Sequence, residues 1–116
     1  MNKRQTGTRW EDEAARFLTQ CGLRIKELNF RSRFGEIDII AKDDEFFVFV
    51  EVKYRKNTRK GMPFEAVNTA KQARIYRTAQ WYIKEHHLSS ERKYRFDVLS
   101  VLDGKITHIR NAFGGF

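Results

Sequence analysis

The segment Phe46–Lys53 limits the possible folds of this chain more than any other part of the sequence. Aromatic and β-branched residues fill it, which favours a β-strand, yet its last three residues include Glu51 and Lys53. Side chains two residues apart share a face of a strand, so these two charged groups follow Phe49 on one face. The segment therefore predicts a largely apolar strand that ends in an acid and a base on the same face.

The residues before this strand predict its hairpin partner. The segment Glu36–Ala41 is a second strand, and the polar residues that follow it form a turn. With the turn centred on Asp43 and Asp44, Asp38 becomes the diagonal neighbour of Glu51, about 7–8 Å away at the backbone. A three-residue loop would place Asp38 on the other face, so the expected geometry depends on this register.

Periodicity and turn residues predict the remaining elements. They are a helix from about Arg9 to Cys21, a strand Leu23–Arg31, a basic loop Arg55–Pro63, a helix from Pro63 to about His86, strands Tyr94–Val101 and Lys105–Ile109, and an irregular tail Asn111–Phe116. The second helix is long enough for a crossover between parallel strands. The order predicts one domain of the α/β class, with a mixed sheet of about five strands flanked by helices.

The charge balance points to an anionic partner. Twenty-three Lys and Arg face fifteen Asp and Glu, a formal charge of +8 on 116 residues. Such an excess suits phosphate backbones, although a charge that only keeps the chain in solution is the simpler alternative. The candidate nucleic-acid-binding residues are Arg55, Lys56, Arg59, Lys60, Lys71 and Arg74. No groove-reading module is evident, so we expect recognition of shape or backbone. DNA is the expected partner, although these residues do not distinguish DNA from RNA.

The cellular compartment is constrained by what the sequence contains. Cys21 is the single cysteine, which excludes an intrachain disulfide and favours a reducing compartment. The first residues lack the apolar stretch of a signal peptide, and the longest apolar run, Phe46–Val50, is too short to span a bilayer. We expect a cytoplasmic protein with no membrane partner.

Two acids and a lysine on one mostly apolar face require compensation, because an unpaired buried charge is costly. Mg²⁺, or Mn²⁺ in its place, would supply it, since such ions take oxygen ligands from Asp38 and Glu51 and keep other sites for water and phosphate. Lys53 could then orient the water or stabilise negative charge on the phosphoryl oxygens. The alternative is a solvated strand end whose charges pair with their neighbours.

At these residues the sequence resembles a known family. The matching blocks are Gly35-Glu36-Ile37-Asp38, Phe49-Val50-Glu51-Val52-Lys53-Tyr54-Arg55, Lys71-Gln72-Ala73-Arg74-Ile75, Ala79, Arg95-Phe96-Asp97-Val98 and Asn111-Ala112-Phe113. Together they resemble the YraN-like family of bacterial proteins, which in turn is similar to archaeal Holliday-junction resolvases of the PD-(D/E)XK nuclease superfamily. The resemblance runs from about Trp10 to Phe113.

The resemblance implies a three-layer, restriction-endonuclease-like α/β fold. It also implies a catalytic site of Asp38, Glu51 and Lys53, with the two acids as metal ligands. An acid on the first helix of the resolvases matches Glu11 here, although Trp10 stands where the family usually has glycine. Ile37 replaces the proline that the superfamily places before the first acid. Neither departure removes a ligand.

Two further acids have two explanations each, and a glutamine is a further candidate for the site. Glu11 either belongs to the site or closes a capping box with Thr8 at the start of the first helix. Glu36 is either a further ligand or a charge at the strand entrance. Gln72 lies three residues before Ile75, on the inward side of its helix, and a buried amide there favours a partner such as a site carboxylate or a metal-bound water.

These features predict a Mg²⁺-dependent DNA endonuclease, with branched DNA as a candidate substrate. Symmetric cutting of a four-way junction would need two sites and hence a homodimer. The alternative is a non-catalytic nucleic-acid-binding module that retains the nuclease fold. A role in protein interaction, suggested by the tail Phe113–Phe116, is a third option.

Overall fold

The computed structural model describes the backbone of residues 3–89 and 91–114, with side chains from residue 11 onward. The elements in chain order are α1 (Lys3–Gln20), β1 (Arg24–Ser32), β2 (Gly35–Asp43), β3 (Phe46–Arg55), a short 3-10 helix (Pro63–Ala66), α2 (Thr69–Glu85), β4 (Lys93–Leu102) and β5 (Lys105–Phe113). This order confirms the predicted α/β class. Among the described residues, neither α-helix is long and apolar enough to cross a lipid bilayer.

The five strands form one mixed sheet in the order β1-β2-β3-β4-β5. Three of its four interfaces are antiparallel, and β3 pairs with β4 in parallel. A parallel pair needs a crossover connection, and α2 supplies it between these two strands. The crossover therefore brings α2 back over the centre of the sheet, beside the predicted site on β3.

Two apolar clusters cover the two faces of the sheet. On one face, Phe49 of β3 packs in a cluster with Ile75 and Tyr82 of α2. On the other face, Val48 packs in a cluster with Leu18 of α1. The alternation of β3 thus separates a layer that contains α1 from a layer that contains α2, which confirms the three-layer arrangement.

The first helix begins earlier than the sequence predicted. Its N-terminus is Lys3 instead of Arg9, so Thr8 lies inside the helix and cannot serve as its N-cap. The residues before Thr8 include Lys, Arg and Gln, which are good helix formers and allow the helix to extend. The capping explanation for Glu11 therefore does not hold.

The second helix and the last strand also differ from prediction. Pro63 opens the 3-10 helix, whereas α2 starts after Asn68, whose side chain accepts a 3.0 Å hydrogen bond from Lys71 N. The tail is ordered as strand through Phe113, because its ring stacks on Phe96 of β4 with centroids 4.9 Å apart. Capping and ring packing respectively set these bounds, and neither is visible in local periodicity.

Candidate active site

The β2–β3 hairpin brings the two predicted metal ligands together. Its turn consists of Asp44 and Glu45, one residue later than predicted. The predicted register was therefore wrong, because each residue of β2 pairs with a residue of β3 two positions later than predicted. The shift changes the pairing partners, but each side chain stays on the predicted face of the sheet. Continuing the observed pairing one step beyond its last bonded pair sets Asp38 directly opposite Glu51 instead of diagonal to it.

The strand β2 becomes irregular at Asp38. Ile37 packs in the cluster under α2, while Ile39 packs in the cluster under α1, so the alternation of faces changes between them. At this point the β3 backbone bonds to a side chain and not to the backbone of β2: Val52 N donates a 2.8 Å hydrogen bond to Asp38 Oδ2. The side chain of Asp38 is thus held in the gap where β2 separates from β3.

Asp38 and Glu51 form a carboxyl pair in which Asp38 is a much weaker acid than usual. Burial, followed by the charge of Glu51 and a hydrogen bond to it, raises the pKa of Asp38 to about 8. Glu51 itself is buried, with 6% of its surface exposed. At neutral pH the folded chain therefore keeps a proton between these two groups, a proton that a divalent cation would displace.

Two lysines complete the charge balance around Glu51. Lys53 Nζ lies 3.6 Å and Lys71 Nζ 3.8 Å from the same oxygen, Glu51 Oε1. Burial, together with the nearby ammonium group of Lys53, lowers the pKa of Lys71. The sequence suggested Lys71 only as a phosphate contact, although its spacing of four residues from the buried Ile75 is the signal that it faces inward.

A second group of acids converges on Asp38 from the side of α1. Glu11, Glu36 and Asp38 each offer one carboxylate oxygen, and these three atoms lie within 4.8 Å of one another. Burial raises the pKa of Glu11 most, and the negative charge of Asp38 raises it further. Arg31 Nε donates a 2.7 Å hydrogen bond to Glu36, which partly offsets the accumulated negative charge.

These carboxylates suit a hard divalent cation. Mg²⁺ binds oxygen at about 2.1 Å, so two ligands of one ion lie about 3–4 Å apart, close to the observed grouping. Burial first, and the repulsion between neighbouring acids second, raise the pKa values of Asp38 and Glu11, and a bound cation would offset both effects. The donor set therefore fits Mg²⁺ or Mn²⁺, with Asp38 common to both groups of acids.

Asn29 is a residue of this region that sequence reasoning missed. It lies in β1 with a φ of 55°, a left-handed conformation that is uncommon within a strand. The neighbouring pairs of β1 and β2 place it across from Asp38, and its side chain hydrogen-bonds Glu11, which opposes the rise in the pKa of that acid. Asparagine tolerates left-handed φ better than most residues, and no periodicity reveals such a kink in advance.

Gln72 makes a different contact from the one expected. Its Nε2 donates a 3.0 Å hydrogen bond to Val67 O, which joins the first turn of α2 to the residue after the 3-10 helix. The amide nitrogen thus stabilises the approach to α2. A role for Gln72 at the carboxylates stays a prediction.

The basic loop continues directly from the end of β3. Its residues line an open groove of about 420 Å³, formed by Tyr54, Arg55, Lys56, Asn57, Arg59 and Lys60. Within the described part of the chain, the buried Nε of Arg55 has no hydrogen-bond partner. The groove begins one residue beyond Lys53, at Tyr54, and four of its lining residues are basic.

Arg74 takes a separate position, on the exposed surface of α2. Its Cβ lies beside Gly35, at the turn that connects β1 and β2, where a Cβ built on the glycine would be 3.7 Å away. The predicted nucleic-acid-binding residues therefore occupy two places, the groove after β3 and the outer side of α2, and Lys71 lies at the acid pair.

Comparison with known proteins assigns the chain to a family. The family model described as uncharacterised protein family UPF0102 matches residues 10–101. A UPF0102 protein of Lachnoclostridium phytofermentans is 45% identical over all of this chain and 98% of its own length. Relatives from Caldicellulosiruptor bescii and Vibrio parahaemolyticus are 45% and 42% identical, over 97% and 96% of this chain and 100% and 93% of their own lengths. The chain is therefore a member of the UPF0102 family.

Proposed function

We propose that this chain is a metal-dependent endonuclease that hydrolyses phosphodiester bonds in DNA. The carrying observation is the pair of Asp38 and Glu51, which retains a proton at neutral pH and contacts Lys53 and Lys71. A purely structural charge cluster would gain stability by pairing each acid with a base. Here the third and fourth acids, Glu11 and Glu36, add repulsion, and such an arrangement favours a cation-binding role.

Asp38 and Glu51 would hold Mg²⁺ or Mn²⁺, and Glu11 would support them from α1. When bound, the cation supplies a water of lowered pKa and positive charge beside the scissile phosphate. Arg31, through its bond to Glu36, limits the negative charge that an incoming phosphate meets. Val52 N fixes the orientation of the Asp38 carboxylate, so the ligand needs no rearrangement on binding.

Lys53 and Lys71 would act on the substrate. Their ammonium groups are partly exposed, with 21% and 29% of the side chains accessible, and both lie within 4 Å of Glu51. Either can donate to a non-bridging phosphate oxygen as negative charge develops there. The groove beyond Lys53, with Arg55 at its start, would hold the phosphates next along the strand.

Cleavage of supercoiled, single-stranded and branched DNA, each with Mg²⁺, Mn²⁺ or EDTA, tests this proposal. We expect metal-dependent cleavage by the native chain and its loss in Asp38→Ala and Lys53→Ala, with DNA binding retained. Asp44→Asn in the β2–β3 turn and Lys105→Ala at the start of β5 change exposed residues and serve as matched controls that keep activity. Cleavage at the native rate by Asp38→Ala would overturn the proposal.

One observation favours a second candidate, a binding module that cuts nothing by itself. Glu51 already has two lysine partners, and this arrangement partly satisfies its charge without a cation. Salt-sensitive DNA binding that is unaffected by Mg²⁺ and by Asp38→Ala, with no cleavage, would identify this function. A DNA substrate is in keeping with the cytoplasmic location expected from the sequence.

Symmetric cutting of a four-way junction would require two copies of the site. We therefore expect a homodimer on such a substrate, and light scattering of the protein–junction complex measures it. A complex with one chain per junction, cut on one strand only, would favour action on simpler branched structures.

A further inference from the structure

An open pocket of about 340 Å³ lies outside the acid site, between the β1–β2 turn and α2. Its lining residues are Phe34, Arg77, Gln80, Trp81 and Lys84. Trp81 has 39% of its surface exposed, and the centroids of its ring and that of Phe34 are 6.5 Å apart at an interplanar angle of 63°. The two rings thus meet edge to face, and the exposed ring of Trp81 offers a surface on which a further flat ring could stack.

The charges around the pocket indicate what the occupant is. None of the five lining residues is acidic, and two of them, Arg77 and Lys84, are basic. A third cation, the guanidinium of Arg33, lies 5.0 Å from the centroid of the Phe34 ring. An apolar protein surface would gain nothing from these cations, whereas a ligand with a flat ring and adjacent negative charge matches both features. A nucleotide has that combination.

A basic stripe on the exposed side of α2 leads from the pocket toward the acid site, where Lys71 faces inward beside Glu51. Arg74, Arg77, Trp81 and Lys84 follow at intervals of three or four residues, and Lys71 precedes them by three. The helix rises 1.5 Å per residue, so Trp81 is about 15 Å along the axis from Lys71. At about 3.4 Å per stacked nucleotide, this distance corresponds to roughly four nucleotides, and to fewer in an extended strand.

The β1–β2 turn is fixed in place against the same helix. Ser32 Oγ lies 3.5 Å from Thr78 Oγ1, and Thr78 is fully buried. Gly35 lies beside Thr78 and Arg74, where its φ of 150° suits glycine and where an added Cβ would meet both residues at ordinary van der Waals distances. Phe34 is therefore held next to α2, and Glu36 and Asp38 follow directly on the strand that this turn begins.

We propose that an unpaired nucleobase of the DNA strand whose phosphates follow the basic stripe of α2 stacks on Trp81, with the ring of Phe34 beside it. The inference rests on the proposed function, because it assigns the strand at Trp81 to the substrate of the acid site. It specifies the substrate class: DNA with a single-stranded segment two to four nucleotides from the scissile phosphate. Fully paired DNA keeps its bases stacked inside the duplex and cannot fill the pocket.

Binding measured in EDTA tests this inference without cleavage. The probes are a fluorescent oligothymidylate of about 20 nucleotides and a blunt duplex of the same length, followed by anisotropy. Trp81→Ala is expected to weaken single-strand binding roughly 5- to 100-fold, the range for loss of one stacked base, and duplex binding less than about twofold. Trp81→Phe keeps a stacking face and is expected to retain most of the affinity.

Phe64→Ala provides the matched control, because Phe64 is an aromatic residue with 43% exposure that does not line the pocket. It is expected to bind both probes as the native chain does. Equal weakening of both probes by Trp81→Ala, or no weakening of the oligothymidylate, would overturn the inference. If oligothymidylate binding is not weakened, an acidic peptide with an aromatic residue would become the better candidate for the occupant of the pocket.

The two proposals fail separately. Trp81-dependent single-strand binding in a chain that never cuts DNA would refute the nuclease and keep the stacking site. Metal-dependent cleavage with the same substrate preference in Trp81→Ala and in the native chain would refute the stacking site and keep the nuclease.

Discussion

Replacement of Asp38 by asparagine is expected to stabilise the protein at alkaline pH while removing its metal site. Burial and the neighbouring Glu51 raise the pKa of Asp38 from 3.8 to about 8. The folded chain therefore keeps this proton at neutral pH, and the unfolded chain releases it. Asparagine resembles the protonated acid in shape, since its amide can donate to Glu51 while its oxygen accepts the bond from Val52 N.

The sign and the size follow from proton linkage. Between the unfolded pKa of 3.8 and the folded value of about 8, the folded state binds more protons, so the free energy of unfolding falls as pH rises. A pKa difference of one corresponds to about 1.4 kcal/mol, which sets a ceiling of roughly 6 kcal/mol for the whole interval. Local relaxation and water entry reduce it, and we expect Asp38→Asn to gain roughly 2 kcal/mol at about pH 8.5.

Urea unfolding of the native chain and Asp38→Asn in EDTA, at about pH 4.5 and 8.5, measures this gain. The difference is expected to be small at the lower pH and to grow at the higher one. Asp44→Asn makes the same chemical change in an exposed turn, at a left-handed position that both residue types tolerate, and should stay within about 0.5 kcal/mol. The reasoning is refuted if Asp38→Asn is no more stable than the native chain at either pH.

Two further predictions concern a buried ion network and the basic groove. Burial alone would raise the pKa of Asp97, but hydrogen bonds from His108 and Arg95 outweigh burial and lower this pKa below 3.8. The ionised Asp97 therefore stabilises the fold above pH 3.8, and this stability is lost as the pH falls through the pKa of the folded state. Asp97→Asn should cost roughly 2 kcal/mol in urea unfolding near neutral pH, because the mostly buried guanidinium of Arg95 loses one of its two carboxylate partners and keeps Asp43. An unchanged midpoint would contradict this. If about six cations contact phosphates, log affinity for DNA should fall with log salt at a slope of about −5, and Arg55→Ala should reduce the slope by about 1. An unchanged slope in that variant would exclude Arg55 as a phosphate contact.

Most of the architecture could be predicted from local sequence. The hairpin strands β2 and β3, the crossover helix and the shared face of Glu51 and Lys53 all follow from the period of the side chains. The register did not follow, because Lys42–Glu45 offers several polar two-residue turns. The left-handed φ of 55° at Asp44 identifies the turn that forms, a conformation that aspartate tolerates and that composition alone does not select.

The parts of the candidate site that depend on long-range geometry could not be predicted. Asn29 reaches Glu11 only because β1 kinks at that residue. Likewise, Asp97 on β4 is the meeting point of two basic residues, Arg95 on its own strand and His108 on β5. Pairings between distant strands leave no periodic signal, so the chemistry of a charged side chain is evident in the sequence and its partner is not.

Binding of Mn²⁺ in solution, counted by electron paramagnetic resonance of the free ion, tests the central claim that Asp38 and Glu51 hold a divalent cation. We expect one site per native chain, also in Asp44→Asn, with an affinity that rises with pH as the proton between the two acids becomes easier to displace. Asp38→Asn should lose this site while remaining folded. Equal Mn²⁺ binding by Asp38→Asn and the native chain would contradict the claim and leave the carboxyl pair without a role in metal binding.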